Sequence, residues 1–393
     1  MEDFRTKFIE SWQSNNQYFE MLKLLASLSK LFSESATPYL DYRIAENLFC
    51  KYYSAINDAR SCTAYDARLG KLGIGIKTFG IQNGTSVEKI AEFNRLKPEL
   101  DKLNGKKLAI QLAEFRNDRI HVANNTYDIE KSIYHIVGRS NGVLKIFNTD
   151  YELIDINDIH EIRDRQTSIS FISGNCFYNF NKSKSVLMKK FILPDQYKEI
   201  PIDILSDPLQ LLSELLKSNH KSEIQELTTE STHTHIAGKD YVILPLYSTR
   251  NHTIVPEKSG LNQWNASGRK RDENEVYIPV PKTIWNKFPN FFPDKDSPFE
   301  LILPNGKSLS AKICQANGKA LMSNPNSDLG EWILRKVLRK KPGELVTIND
   351  LAKYGIDSVR VEKKHKKNEN DEEIYEISFT TSEYENYNDF INE

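Results

Sequence analysis

Long apolar runs are missing from this chain. None approaches the ~18 residues that a membrane-crossing helix needs, so a bilayer-spanning protein is not expected. The first residues, Met1 to Arg5, open acidic and lead into an amphipathic pattern, which does not fit a secretory signal. Cysteine is scarce: Cys50, Cys62, Cys176 and Cys314 lie far apart with no Cys-x-x-Cys pair. That removes zinc ribbons and dithiol redox motifs, and leaves free, mostly buried thiols in a cytoplasmic protein as the expectation. Excess charge of one sign is also absent, with a formal net charge of -1. A uniformly basic coat is thereby excluded, while a local basic patch offset by acidic segments elsewhere is not. No internal repeat is apparent, so a solenoid or propeller is not expected.

What is present is ordinary globular composition at more than one-domain length. A chain of 393 residues with 39% hydrophobic and 27% charged residues predicts two domains, each with its own core. Phe8, Trp12, Phe19, Leu22, Leu25, Leu28 and Phe32 recur at helical spacing, and a second helix is predicted from about Tyr39 to Arg60, after the break at Pro38. The period then changes to that of strands at Thr63–Arg68 and Leu72–Phe79. Helices are predicted at Val87–Leu103 and Lys106–Val122. Short strands follow at Ser132–Gly138, Gly142–Asn148, Tyr151–Ile156, Thr167–Ile172 and Cys176–Asn181. The fold class is α+β and multi-domain: an N-terminal α/β unit with a small mixed sheet, then a β-rich unit with short helices.

Boundaries follow from composition. Residues 1–217 form the first domain and 218–238, rich in Ser and Thr without an apolar face, a linker. Residues 239–381 form the second domain, and 382–393 an acidic, loose tail. His233 and His235 lack a third ligand nearby and read as solvated. Strands are predicted at Tyr241–Leu246, Val276–Val280, Phe299–Leu303, Leu309–Cys314, Val359–Lys363 and Ile374–Phe379, with short helices at Thr283–Phe288, Leu329–Val337 and Ile348–Tyr354. Asn305-Gly306 supplies a hairpin turn, Thr347 to Asp350 a helix cap, and Lys363 to Glu373 a charged hairpin excursion. Two polar arms stand out, Ser259–Glu275 and Cys314–Asn326. Their Arg, Lys, Asn, Gln and Glu side chains carry the donors and acceptors that match base edges and phosphates.

Ser259-Gly-Leu-Asn-Gln-Trp264, Glu275-Val-Tyr-Ile-Pro-Val-Pro281, Phe288-Pro-Asn-Phe-Phe-Pro293, Lys319 to Asn326, Leu329-Gly-Glu-Trp332 and Tyr354-Gly-Ile-Asp-Ser-Val359 occur in this order. Together they resemble the DNA-recognition domain of the restriction endonucleases BfiI and NgoAVII. That domain is a seven-stranded pseudobarrel shared with the EcoRII effector domain and the plant B-three transcription factors. The resemblance implies arms between the first and second strands and between the fourth and fifth, gripping the major groove of double-stranded DNA. It carries DNA contacts onto Gln263, Asn265, Arg269, Lys270, Arg271, Asp272, Asn274 and Glu275 in the first arm. In the second it carries them onto Gln315, Asn317, Lys319, Asn324 and Asn326. Arg269 and Arg271 suit guanine, Asn and Gln suit adenine, and Lys270 and Lys319 suit phosphates. Trp264, Trp285 and Trp332 read as core or arm-anchoring aromatics.

In the N-terminal domain, Asp66 and Lys77 on neighbouring strands resemble the hairpin of PD-(D/E)xK nucleases, which hydrolyse phosphodiesters with Mg²⁺. The sequence departs from that motif at Gly75, where a carboxylate is expected. Glu46, on the preceding helix, is the candidate to supply it, ahead of Glu114. Asp66 and Glu46 are then the metal ligands and Lys77 stands beside the attacking water. The whole reading is a Mg²⁺-dependent type II restriction endonuclease, with a cognate DNA methyltransferase as functional partner and room for a homodimer.

Two alternatives stand beside it. One is a metal-independent phospholipase D-type nuclease, whose His-x-Lys form occurs only at His365-Lys-Lys367, with Glu372 where an Asp is needed. The other is a non-catalytic DNA-binding or regulatory protein. Lys182, Lys184, Lys189 and Lys190 form a further basic stretch, suited either to DNA steering or to a charged sheet edge. His135, in an apolar strand, reads as a satisfied core histidine.

Overall fold

The computed structural model describes residues 4–58, 64–217, 237–250, 254–380 and 387–392. Cys62, His233, His235 and most of the stretch read as a linker lie outside them. The chain divides into two compact units. The first holds residues 1–59, 65–114 and 129–234; the second holds 60–64, 115–128 and 235–393.

The first unit opens with α1 (Phe4–Ser11) and α2 (Asn16–Ser27). The apolar spacing reads as one run, but Asn15 interrupts it by accepting from Tyr18 N at 3.1 Å and starting a new helix. Next come α3 (Tyr42–Tyr53), β1 (Ile56–Asn57), β2 (Ala67–Leu69) and β3 (Leu72–Gly80). Asp41 caps α3 through Arg43 N, and Ser54 closes it in the left-handed conformation, so the helix is shorter than predicted at both ends.

The expected helix at Val87–Leu103 is instead β4 (Thr85–Glu92), a short turn and α4 (Lys97–Leu100). Val87 and Ile90 sit three apart, which imitates a helical face, but β4 pairs along its length with β10 (Val186–Ile192). Its β-branched Thr85, Val87 and Ile90 suit the extended chain. The long α5 (Gly105–Tyr127) passes from the first unit into the second after Glu114. The chain then forms β5 (Lys131–Ser140), β6 (Val143–Asp150), β7 (Ile159–Asp164), β8 (Ser168–Ser173) and β9 (Cys176–Asn181), and, beyond β10, β11 (Lys198–Pro201) and α6 (Pro208–Lys217).

The strand expected at Tyr151–Ile156 does not form. Tyr151 instead stacks on Tyr134 with ring centroids 4.1 Å apart.

The first unit therefore has two sheets where one was expected. The mixed sheet runs β1-β2-β3-β5-β6-β11, with β3 and β5 parallel; the other, β4-β10-β9-β8-β7, is antiparallel. Alternation along β3 and β5 sends Leu72, Ile74, Ile76, Ile133 and Val137 into one core with Phe8, Trp12, Tyr18, Leu22 and Phe49 from α1–α3. His135 lies in that core, fully buried between Tyr18 Oη (3.0 Å) and Asn148 Oδ1 (2.8 Å). Burial lowers its pKa to about 4, against a smaller upward pull from Asn148, so it is a neutral structural histidine.

The second unit is built on β12 (Tyr241–Pro245), β13 (Ile278–Pro279), α7 (Lys282–Lys287), β14 (Pro298–Ile302), β15 (Ser308–Cys314) and β16 (Ala320–Ser323). A one-turn helix at Asp328–Gly330 runs on as the π-helix Glu331–Val337, followed by α8 (Ile348–Tyr354), β17 (Ser358–Lys367), β18 (Glu373–Thr380) and α9 (Tyr387–Asn392). The seven strands curl into a half-barrel in the order β12-β17-β18-β14-β15-β16-β13, all antiparallel except β14 with β18. β16 is the strand that periodicity missed: four residues, all buried, with no polar alternation. The expected turn at Asn305-Gly306 is present, with Gly306 at φ +83°. Thr347 and Asp350 form a reciprocal capping box on α8. The tail differs from expectation, because α9 places Tyr387 and Phe390 in the core.

Candidate functional site

Two places gather the residues singled out from sequence. The first is the start of the β2–β3 hairpin. Asp66 continues the ladder just ahead of β2: its N–H donates to Ile74 O at 2.9 Å, and its Oδ2 accepts from Ile76 N at 2.7 Å. One carboxylate oxygen is thus fixed by backbone and the orientation of the other is set with it.

Glu46 is buried on α3, and its Oε2 has no hydrogen-bond partner. Arg43 Nη1 lies 3.7 Å from it. Burial, and next the charge of Asp66, push the Glu46 carboxyl up to about 7; Arg43 and Lys77 pull the other way. Asp66 and Lys77 are therefore each within electrostatic reach of Glu46. Burial together with Asp58, Glu46 and Asp66 likewise pushes the Cys50 thiol up to about 12.

Gly75 is explained by its surroundings. A Cβ there would lie 2.8 Å from the Tyr151 ring and 2.9 Å from that of Tyr134, so no carboxylate fits at the motif position. Glu114, the less favoured alternative, is on α5, hydrogen-bonded to Gln111, and is not among the groups that perturb Glu46. No group of three or more His, Cys, Asp or Glu side chains is arranged for a metal among the described residues. Magnesium keeps several waters and needs only one or two carboxylates, so Asp66 with the unsatisfied Glu46 suits it chemically.

The second place is the pair of arms, and the register of β13 with β16 fixes their layout. These strands pair antiparallel, Ile278 opposite Leu321 and Pro279 opposite Ala320. The first arm enters β13 at the end where β16 runs out into Asn324 and Asn326. The turn holding Gln315, Asn317 and Lys319 lies at the opposite end, where Val280 N donates to Lys319 O at 2.9 Å. The residues expected in one second arm are thus divided between two ends of a strand about 13 Å long.

The first arm starts as a 3-10 helix, Gly260–Asn265. Its base is held by Asn262, fully buried, which donates to Pro256 O and Val346 O and accepts from Val346 N. Beyond it, Ser267, Gly268, Arg269 and Lys270 form the exposed tip. Glu275 is directed inward and buried, accepting from Arg269 Nη2 at 2.6 Å with Arg271 Nε at 3.4 Å. Arg271 is itself mostly covered, its Nη1 donating to the carbonyls of Ala266, Ser267 and Arg269. Asp272 Oδ1 caps Asn274 N, and Asn265 donates to Glu257 O. Arg269 and Lys270 thus stay exposed at the tip, Gln263 is half-buried, and Glu275 and Arg271 hold the loop's shape.

The second arm is a tight turn with Gln315, Asn317 and Gly318 all at positive φ. Trp285 of α7 donates from Nε1 to Gly318 O at 3.0 Å, and a Cβ on residue 318 would lie 2.9 Å from its ring. Asn317, Lys319, Asn324 and Asn326 are exposed. Asn262 and Arg335 were not singled out from sequence. The signal available was position: Asn262 lies within Ser259–Trp264, and Arg335 one turn past Trp332.

Some of the other basic residues are committed to ion pairs. Lys182 pairs with Asp164, and Lys189 is buried against Glu152. His365, the sole bearer of the His-x-Lys form, pairs with Asp240 at 2.6 Å.

A curled seven-stranded sheet with polar loops at the ends of its β13–β16 pair is the architecture of a DNA-recognition pseudobarrel. Residues 231–365 match the family model of the NgoFVII C-terminal B3-like DNA-binding domain. This part of the chain is thus similar to the DNA-reading domain of a restriction enzyme. No curated protein matches the chain. No helix among the described residues is long and apolar enough to cross a membrane.

Proposed function

We propose that this protein is a type II restriction endonuclease: the second unit reads a short sequence in double-stranded DNA and the first hydrolyses phosphodiester bonds. The match over residues 231–365 supports the DNA-reading half. The two arms also lie at opposite ends of the β13–β16 pair. Arg269 at one end, and Gln315 and Asn317 at the other, are the side chains presented to base edges. Lys270 and Lys319 contact phosphates, and Asn324 and Asn326 extend the first-arm end.

For cleavage, the observation that carries the proposal is that Asp66 and Lys77 both act on the charge of buried Glu46, whose Oε2 has no hydrogen-bond partner. Asp66 and Glu46 would hold Mg²⁺, which when bound polarises the phosphoryl oxygen and lowers the pKa of bound water. Lys77 orients the attacking water and offsets phosphate charge. The backbone bond from Ile76 N fixes Asp66, and α3 supplies the carboxylate that Gly75 cannot.

A second reading, a DNA-binding protein whose first unit regulates without cutting, is favoured by Gly75 and the tyrosines packed over it. Plasmid incubated with Mg²⁺ separates the two. Discrete fragments are expected from the wild type, with cutting abolished in Asp66→Ala and Lys77→Ala while binding persists. Cutting in EDTA, or undiminished cutting by both variants, would overturn the site. A homodimer and a protecting methyltransferase in the same system go with the endonuclease reading.

A further inference from the structure

The first arm is clamped from outside by a residue to which no DNA contact is assigned. Arg335, half-buried on the π-helix, spreads its guanidinium over three acceptors. Nε donates to Asn274 Oδ1 at 2.7 Å, Nη2 to Glu273 O at 2.7 Å and Nη1 to Lys340 O at 3.0 Å. The first two bonds fix the last turn of the arm before β13; the third ties the same side chain to the loop after the π-helix. Beneath it, Gly330 lets the arm come closer than any other residue would, because a Cβ there would stand 1.7 Å from Asn274 O. π-helical turns inside helices recur at functional sites, and this one sets Arg335 beside the arm. A planar fork that meets a side-chain and a backbone acceptor in one segment fixes orientation, which a lysine's single ammonium cannot do.

We propose that Arg335 is a positioning residue for sequence recognition: it holds the Glu273–Asn274 turn so that Arg269, four residues upstream, projects at a fixed height and angle. This rests on the reading of the second unit as a DNA reader. Inside the arm, Glu275 orients Arg269; outside it, Arg335 anchors the turn that carries Glu275. Loss of Arg335 frees the arm to sample other conformations, which lowers the share of molecules with the reading geometry. Backbone phosphate contacts, which carry no sequence information, are unaffected.

The test selects duplexes from a randomised double-stranded DNA pool with the full chain, without added metal. Wild type, Arg335→Lys, Arg335→Gln and Asn274→Ala are compared. Wild type should enrich one motif. The Arg335 variants should bind that duplex about tenfold more weakly, with information lost at the positions on the first-arm side, as expected for a lost charge-assisted fork. Affinity for an unrelated duplex and the slope of binding against salt should stay as in wild type. Asn274→Ala should reproduce part of the loss and add little to Arg335→Lys in the double variant.

Equal weakening on all duplexes with a shallower salt slope would make Arg335 a phosphate contact and overturn the proposal. An unchanged motif and affinity would overturn it also, while leaving the DNA-reading function intact. Failure of the wild type to enrich any motif would instead remove the DNA-reading function and the proposal with it. Thermal unfolding of each variant identifies a change that merely unfolds the unit.

Discussion

Two buried glutamates are compensated to different degrees. Glu275, at the base of the first arm, meets Arg269 and Arg271. Glu46, on α3, has its pKa raised by burial first and by Asp66 next, against a partial offset from Arg43 and Lys77, and its Oε2 accepts no hydrogen bond. A reading loop needs its shape fixed in advance, so its interior charge is neutralised by the side chains that define that shape. A reactive site needs a charge whose environment opposes it until a ligand arrives, and perturbed carboxylates gather in such places. Removing the two carboxylates should therefore have effects of opposite sign.

The larger effect is expected at Glu275. Glu275→Ala leaves Arg271 covered and without its counter-charge, whereas Arg269, 56% exposed, can turn to solvent. Breaking a buried pair costs about 3–5 kcal/mol, and the exposure of Arg269 puts this one at the low end, about 3 kcal/mol. Urea unfolding would measure it, and a loss under about 1 kcal/mol would break the contrast.

Glu46→Gln should do the reverse. A folded-state pKa raised from 4.5 to about 7 means that the folded protein holds a proton that the unfolded chain releases. The stability this contributes is fully present below about pH 4.5 and lost as pH rises through 7. At pH 8 the neutral variant should thus be the more stable, by less than the ceiling of about 3.5 kcal/mol set by ~1.4 kcal/mol per pKa unit, because solvent screening lowers it, and at pH 4 the two should coincide. Mg²⁺, if held by Glu46, should close the gap at pH 8 by stabilising the wild type alone. Unfolding curves at the two pH values, with and without Mg²⁺, give all of this; a variant less stable at pH 8 would count against a strained Glu46.

The sequence was readable where a residue's role depends on its neighbours in the chain. The hairpin turn at Asn305-Gly306, the capping box from Thr347 to Asp350 and the boundaries of β3, β9 and α8 are local chemistry, and each is present in the fold. The curled seven-stranded sheet followed from motifs in a fixed order. What was hidden depends on pairing across the chain. β4 looked helical because its partner β10 lies about a hundred residues on, and β16 had no alternation because both of its faces are covered. Gly75 read as a missing ligand, yet the cause of its identity is Tyr134 and Tyr151, from other parts of the mixed sheet's surroundings. The tail's acidic composition concealed two aromatic anchors, Tyr387 and Phe390. For the arms, composition marked the exposed donors but not which charges face inward: Glu275 and Arg271 lie in the same polar run as Arg269.

The smallest effect belongs to the second arm and sharpens the comparison within the reader itself. The first arm is a long loop held by several charge-assisted bonds. The second is a five-residue turn held by positive-φ backbone, by the backbone bonds from Gly318 N to Gln315 O and from Val280 N to Lys319 O, and by one neutral side-chain hydrogen bond, from Trp285 Nε1 to Gly318 O. Trp285→Phe keeps an aromatic ring against Gly318 but removes the donor, so its stability cost should be about 1 kcal/mol, well below that of Glu275→Ala. Because the turn's shape is set mainly by its backbone, the DNA motif selected by Trp285→Phe should match that of the wild type. Gly318→Ala tests the same point from the other side: its Cβ meets the Trp285 ring and its φ of +62° opposes any side chain, so it should lose the selected motif on the second-arm side. If Trp285→Phe alone erased that half of the motif, the hydrogen bond rather than the backbone would be what holds the second arm, and the two arms would be built on the same principle after all.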